Sequence, residues 1–276
     1  MSVNRNLVLG FVVFSGLATV LFFLPKSVVE STKKLENIAS SPIKEETSKP
    51  EALHASDSGL VTMISGLRKT AYAESNSNKK SELFQEMAKV FLKNHQYDSA
   101  GASYEKAASL TADPKLSFEA GSAYYEGITF AGNPSKVEFL SGKARDLFAQ
   151  VPGKSPLSTE AQAKSAMTWV NSPSPMKGIL KLRELSEKHP ENEYVSFQLG
   201  MLSFQSGQFE KAVARFRKVL EINSKNVNAW FYLAQCLQQT GQKDEALKAI
   251  NSGLPLAKED DTKASFEELK KQLTEN

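Results

Sequence analysis

Residues 193–260 consist of two consecutive stretches that repeat at an offset of 34: EYVSFQLGMLSFQSGQFEKAVARFRKVLEINSKN, then VNAWFYLAQCLQQTGQKDEALKAINSGLPLAKED. A fixed period of this length limits the chain to stacked supersecondary units. Leu199 falls on Leu233, Gly200 on Ala234, Gly207 on Gly241, Ala212 on Ala246 and Leu220 on Leu254. Each unit reads as a helix hairpin. A first helix (A) carries a large apolar residue followed by a small one. A glycine-centred turn comes next, and a second helix (B) opens on alanine. Small residues at the crossing let two backbones approach closely. Phe216, Val219 and Leu220 then share one helical face. One hairpin cannot bury that face alone, so neighbours must stack.

The same ruler extends toward the N-terminus. The small residue opening helix B recurs as Ala100, Ala144, Gly178, Ala212 and Ala246, each followed four residues on by a bulky one: Tyr104, Phe148, Leu182, Phe216 and Ile250. The small residue of helix A recurs as Ala88, Gly121, Ala166, Gly200 and Ala234. This predicts five hairpins, at about 81–113, 114–158, 159–192, 193–226 and 227–260. The second carries about ten extra residues between Tyr125 and Phe139, where Gly127, Gly132 and Pro134 interrupt a helix. The third has a weak helix A (Ala163, Ala166, Met167, Trp169, Val170) and a turn through Pro173 and Pro175. Phe266, Leu269 and Leu273 predict a capping helix over 261–276. Leu60, Met63, Ile64 and Leu67 predict a short lead-in helix within 59–80, with Asp57 or Ser58 as its N-cap.

Trp230, Leu233, Ala234, Gly241 and Ala246, and Leu199, Gly200, Gly207, Ala212 and Phe216, stand where the tetratricopeptide repeat (TPR) family places its large and small residues. The chain resembles that family over about two thirds of its length. Ser196 and Ser224 depart from the pattern, standing where a bulky residue and a proline are usual. The resemblance implies an all-α chain whose 81–276 segment is a right-handed α-solenoid. It also implies a groove lined by the A helices, with positions two, five, nine and twelve pointing inward. Here those are Tyr194, Phe197, Met201 and Phe204, then Asn228, Phe231, Gln235 and Gln238, with Tyr232 beside them. The family's carboxylate clamp is not matched, because Phe197 and Phe231 occupy its lysine positions.

Residues 7–24, LVLGFVVFSGLATVLFFL, contain no charge. As a helix they measure about 27 Å, close to the hydrocarbon thickness of about 30 Å. Such a run is longer than a signal-peptide core, and no small-residue cleavage motif follows it. Residues 1–25 are therefore expected to anchor the chain in a bilayer as a single span. Residues 26–58, rich in Ser, Lys, Glu and Pro, are expected to be a flexible tether. Lys26, Lys33 and Lys34 follow the span and favour a cytoplasmic C-terminal part by the charge rule. The short N-terminal tail and a resemblance to bacterial single-pass TPR proteins favour export, which places the repeats in the periplasm.

The net charge is +3. From Ser81 onward, 24 Lys+Arg balance 24 Asp+Glu, which argues against a nucleic-acid-binding face. His54, His95 and His189 are scattered, and no metal-ligand spacing or nucleophile motif occurs. The one cysteine, Cys236, reads as a buried thiol in a helix A. No enzyme activity, cofactor or metal is expected. The expected function is a membrane-anchored protein–protein interaction module, a scaffold or accessory to envelope protein biogenesis, holding a peptide or helix of a protein partner in the groove. The alternatives are a self-assembling subunit of a membrane complex and a TPR subunit similar to those of cytochrome c maturation.

Overall fold

The computed structural model describes residues 58–275; the expected span at 7–24 and residues 26–57 of the expected tether lie outside them, and Ser58, expected to end the tether, opens the first helix. Among the described residues there are twelve α-helices and no strand. Helix α1 is Ser58–Ala73. Five A–B hairpins follow: α2 (Ser77–Lys93) with α3 (Tyr97–Leu110), α4 (Pro114–Gly127) with α5 (Pro134–Ala149), α6 (Ser158–Val170) with α7 (Pro175–Lys188), α8 (Glu193–Gln205) with α9 (Phe209–Ile222), and α10 (Val227–Gln239) with α11 (Lys243–Gly253). Helix α12, Asp260–Glu275, closes the stack.

The helix starts are written locally. The side chains of Asn76, Asp113, Asn133, Asn192 and Asn226 each accept a hydrogen bond from a first-turn backbone N–H. This satisfies donors that a helix leaves unpaired. Proline opens α4, α5 and α7, where its missing N–H costs nothing.

The turns follow from one register position, seven residues after the small residue of helix A. It is occupied by His95, Ile128, Pro173, Gly207 and Gly241. Gly207 (φ 71°), Gly241 (φ 73°) and His95 (φ 55°) all adopt the left-handed conformation that ends the helix. Ile128, β-branched and at φ −58°, stays right-handed and carries helix A on into a 3-10 turn, Ile128–Phe130. Pro173 has no left-handed option, and α6 stops earlier, at Val170.

The extra residues of the second hairpin, expected between Tyr125 and Phe139, do not form a loop there. The extra residues lengthen both helices instead. Helix A with its 3-10 turn continues to Phe130, nine residues past Gly121, whereas α8 ends five past Gly200. Helix α5 begins ten residues before Ala144, whereas α9 begins three before Ala212. The linker, 131–133, is as short as the others. The projecting end is held by Phe130 stacked on Tyr97 of the first hairpin, at 5.0 Å and 16°.

A second correction concerns α1. It buries Ile64 and Ala71 and leans Leu60 and Leu67 on the first hairpin, whereas Met63 is 54% exposed. The contact stripe therefore runs at 60, 64, 67 and 71, and Met63 lies off it. At the other end, α12 buries Phe266, Leu269 and Leu273 against the last hairpin and turns its charges outward.

Packing is closest where A and B cross. A Cβ on Gly200 would stand 2.7 Å from the ring of Phe216, and one on Gly121 would stand 2.8 Å from that of Phe148. A Cβ on Gly178 would lie 2.3 Å from the carbonyl oxygen of Ala166. The buried apolar residues form a large N-terminal cluster, a large C-terminal one, and a small one of Ala163, Ala166, Leu182, Leu185, Val195 and Leu199 that the third hairpin shares with α8.

Candidate partner-binding groove

The A helices touch across successive hairpins, α4 with α6, α6 with α8 and α8 with α10. They form the crowded, inner side of the stack. Along α8 and α10 that side carries a continuous aromatic floor. Tyr232 is its hub: it stacks on buried Phe216 (5.7 Å, 17°) and meets Phe197 (6.1 Å), Phe204 (5.4 Å) and Phe231 (5.8 Å) edge-on. These are favourable aromatic geometries. Phe197, Met201, Phe204, Phe231 and Tyr232 are all half-buried and packed against the C-terminal core. Each is thus partly packed into the core and partly exposed. Phe231 also leans on Phe266 of α12, at 5.2 Å, so its ring seals the terminal cap. Asn228 is exposed, and Gln235 and Gln238 are half-buried beside the floor.

Tyr194 does not join this floor. It belongs to a second cluster, on α4, α6 and α8, which the sequence reading did not name. The hydroxyls of Tyr125 and Tyr194 hydrogen-bond each other. Lys164 donates to the Ser122 hydroxyl at 3.1 Å and pairs with Glu160 at 3.2 Å. Its ammonium also lies 4.8 Å from the Phe118 ring and 5.9 Å from that of Tyr194. The Lys164 side chain is only 14% exposed, and the lysine is tied by contacts on all three helices. Burial pushes the Tyr194 phenol well above its usual range, helped by Tyr125 and by the charge of Glu160. Burial likewise raises Tyr125. Phe118, Ser122, Tyr125 and Glu160 stand at inward register positions of the second and third hairpins. Carrying the register back from the last two hairpins finds them; Lys164, one position along, requires the structure.

Two further contacts hold the floor in place. Arg215 of α9 donates to the Leu199 carbonyl at 2.6 Å and to the Ser203 hydroxyl, fixing α8 from behind. Glu193 accepts from the amides of Asn223 and Asn226 at 2.7–3.0 Å, joining the start of α8 to the start of α10. Among the described residues, no three His, Cys, Asp or Glu side chains lie together as a metal site would require. No helix among them is long and apolar enough to cross a membrane.

Residues 203–265 match the tetratricopeptide repeat family. That stretch, the last two hairpins, carries tetratricopeptide repeats. The chain is 30% identical over 91 residues to anaphase-promoting complex subunit 3 of Dictyostelium discoideum, a match spanning 33% of this chain and 9% of that protein. In fold, the chain resembles a TPR protein of Parabacteroides merdae (TM-score 0.52, 13% identity, 78% of this chain and 79% of that one). It also resembles a thermophilic TPR protein of Thermus thermophilus (TM-score 0.50, 16% identity, 68% and 98%). At such identities the likeness is one of TPR architecture alone.

Proposed function

We propose that this chain is a membrane-tethered interaction module whose inner face holds a peptide or short helix of a protein partner. The observation that carries the reading is the half-exposed aromatic floor of Phe197, Phe204, Phe231 and Tyr232 on α8 and α10. Rings fixed by one another lose little freedom when a ligand covers them, so burial converts efficiently into affinity. The amides of Gln235 and Gln238 beside them suit the backbone of a bound segment. The Lys164–Glu160 pair adds a polar stop at the far end of the groove. The Dictyostelium relative is by name a subunit of a complex, which supports a role in assembly. The uncharged run at 7–24 supports a tether to a bilayer, with the repeats in the periplasm and a scaffolding or accessory role in envelope protein biogenesis.

The test is crosslinking and capture from membranes with the full chain, and with Phe204→Ala, which spares the α12 contact that Phe231 makes. The proposal expects a discrete partner that the variant loses. Equal capture by the variant, or a stable oligomer of the chain alone in detergent, overturns it, and the oligomer points to self-assembly.

A further inference from the structure

The third hairpin has an open back. Helices α5 and α7 stand apart there, and the groove between them, about 530 Å³, is floored by α6. Ser165 and Ala166 make the floor low. Phe148 and Trp169 supply apolar walls, and Leu180, 57% exposed, forms the lip. The Arg145 guanidinium lies 4.3 Å and the Lys177 ammonium 3.6 Å from the Trp169 ring. Lys177 and Lys181 line the groove, with Glu184 as its one lining acid. Arg145 is paired with Glu138, and Lys181 and Lys188 share Glu184. Lys177 makes no ion pair among the described residues. Of the two lining cations, Lys181 pairs with the one lining acid and Lys177 is left without a carboxylate.

We propose that this groove is a second docking surface, for a short acidic amphipathic helix of a protein partner. One large apolar side chain of that helix fills the space between Phe148, Trp169 and Leu180. Its carboxylates reach Lys177 and Lys181. The volume falls within the range of ordinary ligand pockets, and a cleft between two helices over a third suits a helix laid along it. Trp169, held between Arg145 and Lys177, is already fixed in its bound position, so little ordering is needed. A low-dielectric wall beside an ammonium group without an ion pair rewards a carboxylate and rejects a lysine. Gln162, Ser165 and Trp169 face this groove, whereas Glu160 and Lys164 face the inner side, so the two surfaces can be occupied together.

The test uses the full chain in detergent and three fluorescent peptides: a Glu-rich helix with leucines on one face, the same helix with Lys for Glu, and a Glu-rich helix with Ala for Leu. Only the first should bind, and high salt should weaken it. Lys177→Glu and Leu180→Glu, both at exposed positions, should each weaken binding at least about tenfold, whereas Phe204→Ala on the inner face should leave it unchanged. The proposal is overturned if none of the peptides binds, if all three bind alike, if both groove variants bind as the parent does, or if Phe204→Ala is the substitution that abolishes binding.

Discussion

The ring of Phe216 occupies the space that a side chain on Gly200 would fill: a Cβ there would stand 2.7 Å from Cε1. The same exchange recurs at Gly121 and Phe148. Where helix A has alanine instead, the partner in helix B is Leu182 or Ile250 for Ala166 and Ala234, with Tyr104 opposite Ala88 as the exception. The crossing volume is thus shared between two positions. Gly200→Ala gains about 0.5–1 kcal/mol of helix propensity but forces a fully buried ring to move, at about 1–3 kcal/mol. The overpacking should win, and chemical denaturation should show a net loss. Adding Phe216→Ile should recover part of it. If the double variant is no better than the sum of the single ones, the two positions are not coupled in this way.

Gly178 has less room still. Its Cβ would meet backbone, the Ala166 oxygen at 2.3 Å and the Val170 nitrogen at 2.8 Å, and backbone cannot rotate aside as a ring can. Gly178→Ala should cost more than Gly200→Ala, at about 3 kcal/mol or above. The third hairpin also supplies only four buried apolar residues, Ala163, Ala166, Leu182 and Leu185, to the smallest core cluster, which it shares with α8. Amide exchange should therefore show α6 and α7 opening before the hairpins on either side, and Gly178→Ala should widen the gap. Uniform protection along the solenoid would contradict this.

His95 sits at φ 55°, where a non-glycine residue pays about 1–2 kcal/mol. Glycine removes that strain but gives the unfolded chain more freedom, worth about 0.5–1 kcal/mol. His95→Gly should therefore stabilise the protein by up to about 1 kcal/mol, seen as a small rise in Tm. The exposed contact between His95 Nδ1 and the Tyr97 hydroxyl (3.1 Å) is worth too little to reverse the sign. His95→Val should lower Tm. The opposite ranking would mean that the turn is not held left-handed.

Alkaline pH should weaken the fold. Burial pushes the Cys236 thiol up from 9.0 to about 12, and burial also raises Tyr104, Tyr124, Tyr125 and Tyr194. All are neutral when protonated, so the unfolded chain ionises first as pH rises. The stability they contribute is complete below about pH 9 and is lost progressively above it. Melting temperature should fall from about pH 9 upward, less steeply in Cys236→Val. Thiol reagents at neutral pH should label Cys236 only as fast as the last hairpin opens. A flat pH profile together with fast labelling would place the thiol at the surface.

What the sequence determined by itself was local and periodic. The offset of 34, the small residues at the crossings, the asparagine caps and the glycines at 207 and 241 specify helix, turn and register within a window the chain can read without its neighbours. The cap stripe of Phe266, Leu269 and Leu273 was legible for the same reason. Tertiary structure decided how residues far apart share space. That the second hairpin grows taller rather than looping out depends on Phe130 finding Tyr97. That Met63 turns to solvent depends on which stripe of α1 the first hairpin accepts. Phe231, equivalent to Phe197 by register, is drawn to the cap because Phe266 comes to lie beside it. Tyr194 leaves the aromatic floor for Tyr125 and the Lys164 cluster because two other A helices flank it. Periodicity fixes the face on which a side chain stands; its partner is fixed only by the packing of helices that the period does not describe.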